Sequence, residues 1–152
     1  MLFAAVSGVN DIIWVNMTKI GFTGTQDGMT APQKSALRDL LDGGSGEFHH
    51  GDCIGADSEA HDIAILCGYT VVLHPPTNPA KRAWRDVPQH LKRAKKPYLA
   101  RNKDIVIETA SLIAAPADPL EQLRSGTWST VRFARQRGKP VFLILPDGTV
   151  KR

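Results

Sequence analysis

The sequence predicts an α/β protein with three layers, in which helices cover both faces of a mainly parallel sheet of about five strands. Two observations predict this α/β/α architecture. Short apolar runs alternate with segments of helical periodicity along the chain, and no internal repeat or low-complexity tract interrupts them. Strands joined through helices run parallel, because each crossover helix packs back onto one face of the sheet.

Three strands and two helices are predicted in the first half of the chain. Thr30 and Gln33 form a capping box at the start of the first helix, and Gly43 ends it. Asp57 is the predicted cap of the second helix, which ends before Gly68. The predicted strands are Ile20–Thr23, Glu47–His50 and Thr70–Leu73.

Two further helices and two further strands follow an irregular region. Residues 77–97 contain three prolines and are predicted to be irregular, apart from a short basic helix at residues 90–96. The remaining predicted helices are Arg101–Thr109 and Thr127–Arg137, and the remaining predicted strands are Leu112–Ala115 and Val141–Leu145.

The chain has 152 residues, which fits one domain with its own core. We assign residues 17–152 to this domain and residues 1–16 to an N-terminal extension. Two interpretations of the extension remain open: an added edge strand through Ile12–Val15, or a segment upstream of a start codon at Met17. The extension has no basic n-region and is too short to span a bilayer, so we expect no membrane partner.

The net charge of +4 is distributed unevenly. Residues 1–62 contain three Lys and Arg against nine Asp and Glu, whereas residues 63–152 contain sixteen against six. Nine of the basic residues lie in the segment Lys81–Lys103, together with Trp84 and Tyr98. Such a segment attracts anions, so single-stranded nucleic acid is one candidate partner; a solvated helix face without a partner is the alternative.

Cys53 and Cys67 provide no disulfide framework, which predicts a reducing cytoplasm. Cys53 is either a nucleophile activated at a helix start or a small packing residue. No lysine site for pyridoxal phosphate is recognisable. The sequence therefore predicts no cofactor.

Metal-capable side chains lie together at His49, His50, Asp52 and Cys53. The two adjacent histidines point to opposite faces of a strand and cannot easily share one ion. His61 and His74, further along the chain, are possible additional ligands, but no second cluster completes a tetrahedral set. We therefore predict no metal site.

Three glycine-bearing turns carry the prediction of a ligand site. Gly24-Thr25-Gln26 follows the first strand, GDCIGAD follows the second, and RSGTWST opens the last helix. Such turns expose backbone N–H groups to anions, and the carboxyl ends of parallel strands meet at one edge of a sheet. We predict a pocket there for a nucleotide or a nucleotide-derived ligand. The predicted binding residues are Gly24, Thr25, Gln26, Gly51, Asp52, Gly55, Asp57, Arg101, Asn102, Ser125, Gly126, Thr127 and Thr130.

Three of these residues have predicted contacts. Arg101 offers a forked donor for phosphate, and Asn102 offers a donor and an acceptor for a base or ribose. Asp52 is a candidate acceptor for a ribose hydroxyl. We expect Arg101→Ala to weaken ligand binding without unfolding the protein.

Five segments, taken in order, resemble the SLOG superfamily: GFTGT, GDCIGADSEAHDIA, RNKDIV, LIAAP and RSGTWSTVRFARQRGKPVFLILPDG. This superfamily joins the Rossmann domain of the DNA-processing protein A (DprA) family with the LOG-type cytokinin-activating phosphoribohydrolases. The resemblance covers residues 19–148 and is nearest to DprA. It implies a Rossmann-like fold that binds nucleotide-derived ligands, and the LOG-type relatives imply a homodimer.

The LOG-type pattern is only partly present. Ser129 and Thr130 stand where LOG-type hydrolases have a pair of glutamates, one of them catalytic. Arg101 matches the catalytic arginine of that family, so the resemblance makes it the best catalytic candidate. Asp52 and Asp118 are the carboxylates that can take the place of the missing one.

The sequence therefore leaves three functions open. The leading hypothesis is a protein that binds a nucleotide-type small molecule as a sensor, carrier or scavenger. The first alternative is an enzyme, a nucleoside-monophosphate phosphoribohydrolase. The second is DprA-like binding of single-stranded nucleic acid through the segment Lys81–Lys103.

Overall fold

The computed structural model describes residues 19–152, and the predicted extension at residues 1–16 lies outside them. Within the described range, six strands form one sheet. The strands are β1 (Lys19–Gly24), β2 (Glu47–His50), β3 (Thr70–Leu73), β4 (Ser111–Ala115), β5 (Val141–Ile144) and β6 (Val150–Lys151).

Four α-helices connect these strands in the described part of the chain. The helices are α1 (Ala31–Leu41), α2 (Ala56–Leu66), α3 (Tyr98–Glu108) and α4 (Gly126–Gln136). The predicted capping box is present, because Thr30 Oγ1 accepts from the Gln33 N–H and the Gln33 side chain accepts from the Thr30 N–H. None of these helices is long and apolar enough to cross a lipid bilayer.

The sheet has the strand order β3-β2-β1-β4-β5-β6. The first five strands run parallel, and β6 pairs antiparallel with β5. This order confirms the predicted α/β class with a mainly parallel, Rossmann-like sheet. The sequence pattern did not predict β6, because two exposed residues are too short a run to show a period.

The two faces of the sheet bury separate apolar clusters. Phe22 and Phe48 pack with the apolar sides of α1 and α2, and their ring centroids lie 5.6 Å apart. On the opposite face, Leu112 and Leu143 pack with Val106 of α3 and with α4. Each parallel strand is therefore covered on both sides, which produces the predicted three layers.

The predicted basic helix at residues 90–96 is wrong. Only Gln89–Leu91 forms a single 3₁₀ turn, and the chain then runs extended beside the end of β3. The backbone of this segment forms hydrogen bonds with residues 73–77 instead of within itself. Arg93 N–H donates to Leu73 O at 2.9 Å, and Thr77 N–H donates to Lys96 O at 3.1 Å. Lys96 N–H, which in a helix over these residues would donate to Lys92 O, donates instead to Pro75 O at 3.2 Å.

Helix α3 begins at Tyr98, three residues before the predicted start. Pro97 precedes its first turn, a position where the missing N–H of proline costs no intrahelical bond. The earlier start adds Tyr98 to the helix and places Arg101 in the second turn rather than at the first position.

Gln33 joins α1 to two strands of the sheet. Its side chain is 1% exposed. Its Nε2 donates to Pro116 O at 2.8 Å, just after β4, and to Ile144 O at 3.0 Å, at the end of β5. These carbonyl groups are buried, so Gln33 supplies the donors that water supplies elsewhere.

We expect Gln33→Ala to lower the free energy of unfolding by about 2 kcal/mol, because two buried carbonyl oxygens lose their donor. Lys34→Ala is the matched control, since Lys34 forms only a surface ion pair with Glu59 at 3.3 Å. Urea unfolding followed by circular dichroism measures both. Equal losses in the two variants would contradict this role of Gln33.

Candidate functional site

A cleft opens at the carboxyl edge of the sheet, between the ends of β1 and β4. The chain adds β2 and β3 on one side of β1 and then crosses over to add β4 and β5 on the other side. The cleft therefore lies at the switch point of the strand order, where open parallel sheets bind their ligands. Its volume is about 470 Å³, within the range of about 300–1,000 Å³ for small-molecule sites.

Four segments of the chain line this cleft: the turn after β1, the turn before α2, the first turns of α3, and the loop that leads into α4. Most of the predicted binding residues belong to its lining. Those that line it are Gly24, Thr25, Gln26, Asp57, Arg101, Asn102, Ser125, Gly126 and Thr127.

Four predicted residues, Gly51, Asp52, Gly55 and Thr130, lie outside the lining. Thr130 Oγ1 donates to the Gly126 carbonyl within α4 at 2.8 Å. The buried Asp52 carboxylate accepts from Arg82 Nε at 2.8 Å and from the backbone N–H of Arg85 at 2.9 Å. Both oxygens of Asp52 are engaged away from the cleft, which leaves neither for the ribose contact that the sequence suggested.

The turn before α2 holds the turn after β1 in place. Gly55 has φ +87°, and a Cβ there would collide with the backbone carbonyl of Gln26. Ala56 N–H donates to Thr25 O at 2.9 Å, and Thr25 N–H donates to Ala115 O at 3.1 Å. Glycine at position 55 thus permits the close approach that fixes the β1 turn between α2 and β4.

Asp57 is the most buried carboxyl group among the residues that line the cleft. It is 6% exposed, and its Oδ2 accepts the N–H groups of Gly51 and Cys53 at 3.1 Å and 3.2 Å. Its Oδ1 is buried without a partner in the described part of the chain. Burial raises the pKa of Asp57 to about 6, against the opposing effects of Arg101 and the two N–H groups.

Arg101 is almost completely buried, although it follows the basic segment in sequence. Its Nη1 donates to the carbonyl oxygens of Gly51 and His74, and its Nε donates to Asn102 Oδ1 at 2.8 Å. Only Nη2 faces a weak acceptor, Cys53 Sγ, at 3.4 Å. Loss of the guanidinium would leave buried carbonyl groups without donors, so Arg101→Ala is expected to destabilise the fold as well as the site.

The N-terminus of α4 forms the wall of the cleft opposite Asp57. Ser125 caps the helix, as its Oγ accepts from the Trp128 N–H at 3.2 Å. Gly126 and Thr127 follow in the first turn, where backbone N–H groups have no intrahelical acceptor. A Cβ at Gly126 would collide with the Tyr98 hydroxyl, so glycine lets α3 and α4 meet at this point.

Sequence reasoning missed several residues that line the cleft. Arg124 is exposed and directly precedes the Ser125 cap. Arg124 belongs to the RSGTWST motif, and its position beside a helix N-terminus is the sequence signal that points to it. Cys53 and Asp118, which the sequence offered as a nucleophile and a carboxylate, also line the cleft. The lining residues for which the sequence predicted no role are Phe22, Thr23, Asp27, Ile105, Ala117 and Gln122.

Cys53 lines the cleft but is poorly suited to act as a nucleophile. Burial raises the pKa of its thiol, and the nearby Asp57 carboxyl raises it further; Arg101 opposes both effects. The reactive form of cysteine is the thiolate. At neutral pH the thiol of Cys53 stays protonated, which favours the packing interpretation.

The adjacent histidines of β2 point to opposite faces, as the sequence predicted, and each has a histidine partner. His49 Nδ1 lies 2.9 Å from His74 Nε2, and His50 Nε2 lies 2.9 Å from His61 Nδ1. Desolvation lowers the pKa of all four rings, so they are neutral at physiological pH. The expectation that no cluster forms around them overlooked Glu108, which lies beside the first pair.

The basic segment Lys81–Lys103 carries less free charge than its sequence suggests. Within the described chain, five of its basic side chains form ion pairs. The pairs are Arg82–Asp52, Arg85–Asp62, Lys92–Asp86, Arg93–Glu108 and Lys96–Asp104. Two of these pairs, Arg82–Asp52 and Arg85–Asp62, join the acidic first part of the chain to the basic second part, and the other three lie within the second part.

No protein-family model matches the chain, and no curated protein matches it. Among solved structures, DNA processing protein A (DprA) from Streptococcus pneumoniae matches with a TM-score of 0.59 and 20% sequence identity over 82% of this chain and 49% of that one. The molybdenum cofactor binding protein from Rippkaea orientalis matches with a TM-score of 0.62 and 21% identity over 83% of this chain and 75% of that one.

These likenesses establish the fold. They confirm the DprA-like Rossmann architecture that the motifs predicted. The chain spans about half the length of the DprA structure that it matches.

We expect stability at neutral pH to depend on the ionisation of Asp57. The folded carboxyl has a pKa of about 6 against a reference value of 3.8, so the carboxylate costs stability above pH 6 and this cost disappears below pH 4. Between pH 4 and pH 7, the wild type should lose on the order of 3 kcal/mol relative to Asp57→Asn. Urea unfolding of both proteins across this range measures the difference. A difference that does not change with pH, or an equal one for the exposed Asp118→Asn, would contradict the assignment.

Proposed function

We propose that the chain is a SLOG-type protein that binds a nucleotide or a nucleotide derivative in the cleft, as a sensor, carrier or scavenger. The observation that carries the proposal is the meeting of an arginine and a helix N-terminus at the switch point of the sheet. Arg124 and the first turn of α4 line the same cleft as Asn102 of α3. A phosphate fits the α4 end, and the donor and acceptor groups of Asn102 suit a ribose or base.

One of the solved neighbours supports a small ligand at this fold. One of the two is described as a molybdenum cofactor binding protein and the other as a DNA processing protein. The free thiols of Cys53 and Cys67 accord with a reducing compartment, and we place the protein in the cytoplasm. The homodimer implied by the LOG-type resemblance stays a prediction.

We expect Arg124→Ala to weaken binding of a nucleoside monophosphate about tenfold or more, because a charge-assisted bond to phosphate is lost. The matched control is Arg135→Ala, an exposed arginine at the opposite end of α4. Isothermal titration with AMP, GMP, CMP and UMP measures the affinities, and native mass spectrometry identifies any ligand that co-purifies. Absence of both binding and a co-purified ligand, or equal losses in the two variants, would contradict the proposal.

Hydrolysis of a nucleotide is the alternative use of the same cleft. Hydrolysis requires a carboxylate, and this chain has Ser129 and Thr130 where LOG-type hydrolases have glutamates. Another residue must therefore supply the carboxylate. Of the two candidates from the sequence, Asp118 lines the cleft and is exposed, whereas Asp52 is buried in its contact with Arg82. Release of ribose phosphate that disappears in Asp118→Asn would select the hydrolase.

A second candidate function is binding of single-stranded nucleic acid beside Trp84. The Trp84 side chain is 61% exposed, its φ is +60°, and the Arg82 guanidinium lies 4.1 Å from its ring centroid. It lines a surface cleft of about 620 Å³ together with the basic side chains of Arg85, Lys92 and Arg93. An exposed aromatic ring among cations is the arrangement on which bases stack.

If this surface binds nucleic acid, a labelled deoxythymidine oligomer should bind with an affinity that falls steeply with salt. Trp84→Ala should then reduce affinity roughly tenfold, since one stacking contact is worth about 1–3 kcal/mol. Ile65→Ala, an exposed apolar residue on α2, is the control. Fluorescence anisotropy between low and physiological salt measures both effects. Binding that is insensitive to salt and to Trp84→Ala would exclude this function.

A further inference from the structure

Three side chains that can bind a metal ion meet on the α3 face of the sheet, apart from the cleft lining. His49 lies on β2, His74 directly follows β3, and Glu108 is the last residue of α3. One nitrogen or oxygen ligand atom from each lies within 4.8 Å of the others. His49 is fully buried and His74 is 2% exposed, while the Glu108 side chain is 33% exposed.

Glu47 orients the imidazole of His49 in this cluster. Glu47 Oε1 lies 2.8 Å from His49 Nε2 and accepts a hydrogen bond from the Nε2–H of the neutral ring. The other ring nitrogen, Nδ1, is then unprotonated and directed towards His74. Metal-binding histidines carry this pattern, in which a carboxylate holds the distal N–H and leaves the proximal nitrogen free to bind.

Arg93 orients the carboxylate of Glu108. Its Nε and Nη2 both donate to Glu108 Oε1, at 3.0 Å and 2.9 Å. Within residues 19–152, Oε2 of Glu108 takes part in no hydrogen bond, so one oxygen remains available. The carboxylates of Glu47 and Glu108 lie beside the two rings and favour a cation there, whereas the guanidinium groups of Arg93 and Arg101 oppose it.

We propose that His49 Nδ1, His74 Nε2 and the Glu108 carboxylate bind a zinc-like divalent ion. Two imidazoles and one carboxylate are a ligand set that Zn²⁺ accepts, with a fourth position left for water. The ring nitrogens of His49 and His74 are 2.9 Å apart. Two nitrogens at about 2.0–2.1 Å from a tetrahedral ion lie roughly 3.3 Å apart, so a small movement of the rings admits the ion.

Without the ion, His74 donates to His49 and His49 donates to Glu47. Binding replaces the first of these hydrogen bonds by two metal bonds, and the proton of His74 moves to its other nitrogen. The ion then joins β2, β3 and the end of α3. Arg101 Nη1 also donates to the His74 carbonyl at 3.2 Å. His74 therefore links the ion to Arg101, which lines the cleft.

The test uses the full chain, free of any affinity tag and stripped of metal with a chelator. Isothermal titration with Zn²⁺ should give one ion per chain and raise the melting temperature, because the ion binds the folded state. Co²⁺ should give the visible absorption of a tetrahedral site, without the thiolate charge-transfer band of a cysteine ligand.

Two variants and one control assign the ligands. His74→Gln and Glu108→Gln should each lower Zn²⁺ affinity at least tenfold, and His90→Gln, an exposed histidine outside the cluster, should leave it unchanged. Glu108→Gln keeps the test valid if His74→Gln fails to fold, because the Glu108 side chain is only partly buried. The proposal is overturned if the wild type binds no Zn²⁺, if Glu108→Gln binds as the wild type does, or if His61→Gln abolishes binding instead.

Discussion

The Arg101 guanidinium holds together the ends of the elements that form the cleft. A buried cation is tolerated only where its donors are occupied, and here they reach the carbonyl groups of Gly51 and His74, after β2 and β3. Glycine at position 51 leaves room for the guanidinium, since a Cβ there would displace it. The positive charge of Arg101 also lowers the pKa of Asp57 and of Cys53, and so opposes the rise in pKa that burial causes in both groups. Geometry and electrostatics at the floor of the cleft therefore depend on one side chain.

The polar groups of the cleft lie at two depths. Cys53 keeps its proton, and the Asp57 oxygen that lacks a partner is buried below the surface. Near the mouth of the cleft, the α4 N-terminus and its exposed neighbour Arg124 offer groups that suit an anion. An enzyme built on this cleft has Asp118 as its exposed carboxylate, on a loop rather than on a rigid element.

Strand β2 separates two histidine pairs by its alternation. His50 faces α2 and meets His61, whereas His49 faces the other side and meets His74. The first pair is enclosed, and the ring of His50 also accepts the N–H of Asp52, which holds that residue at φ +51°. The second pair has a carboxylate at each end. Both pairs consist of histidines, but their surroundings differ. For this reason His50 and His61 support the turn at Asp52, whereas His49 and His74 provide ligands for the proposed ion.

The sequence by itself determined the order and bounds of most elements and the edge of the sheet at which the cleft lies. Caps such as Thr30 with Gln33 and apolar runs such as Val141–Ile144 are local signals, and parallel strands must end at one edge. The tertiary structure alone decided that Asp52 turns to Arg82, that Arg101 is buried, and that Glu108 joins the histidines. The residues in these contacts are about 27 to 59 positions apart in the sequence. Contacts between residues so far apart arise when the elements pack together, and no local sequence pattern encodes them.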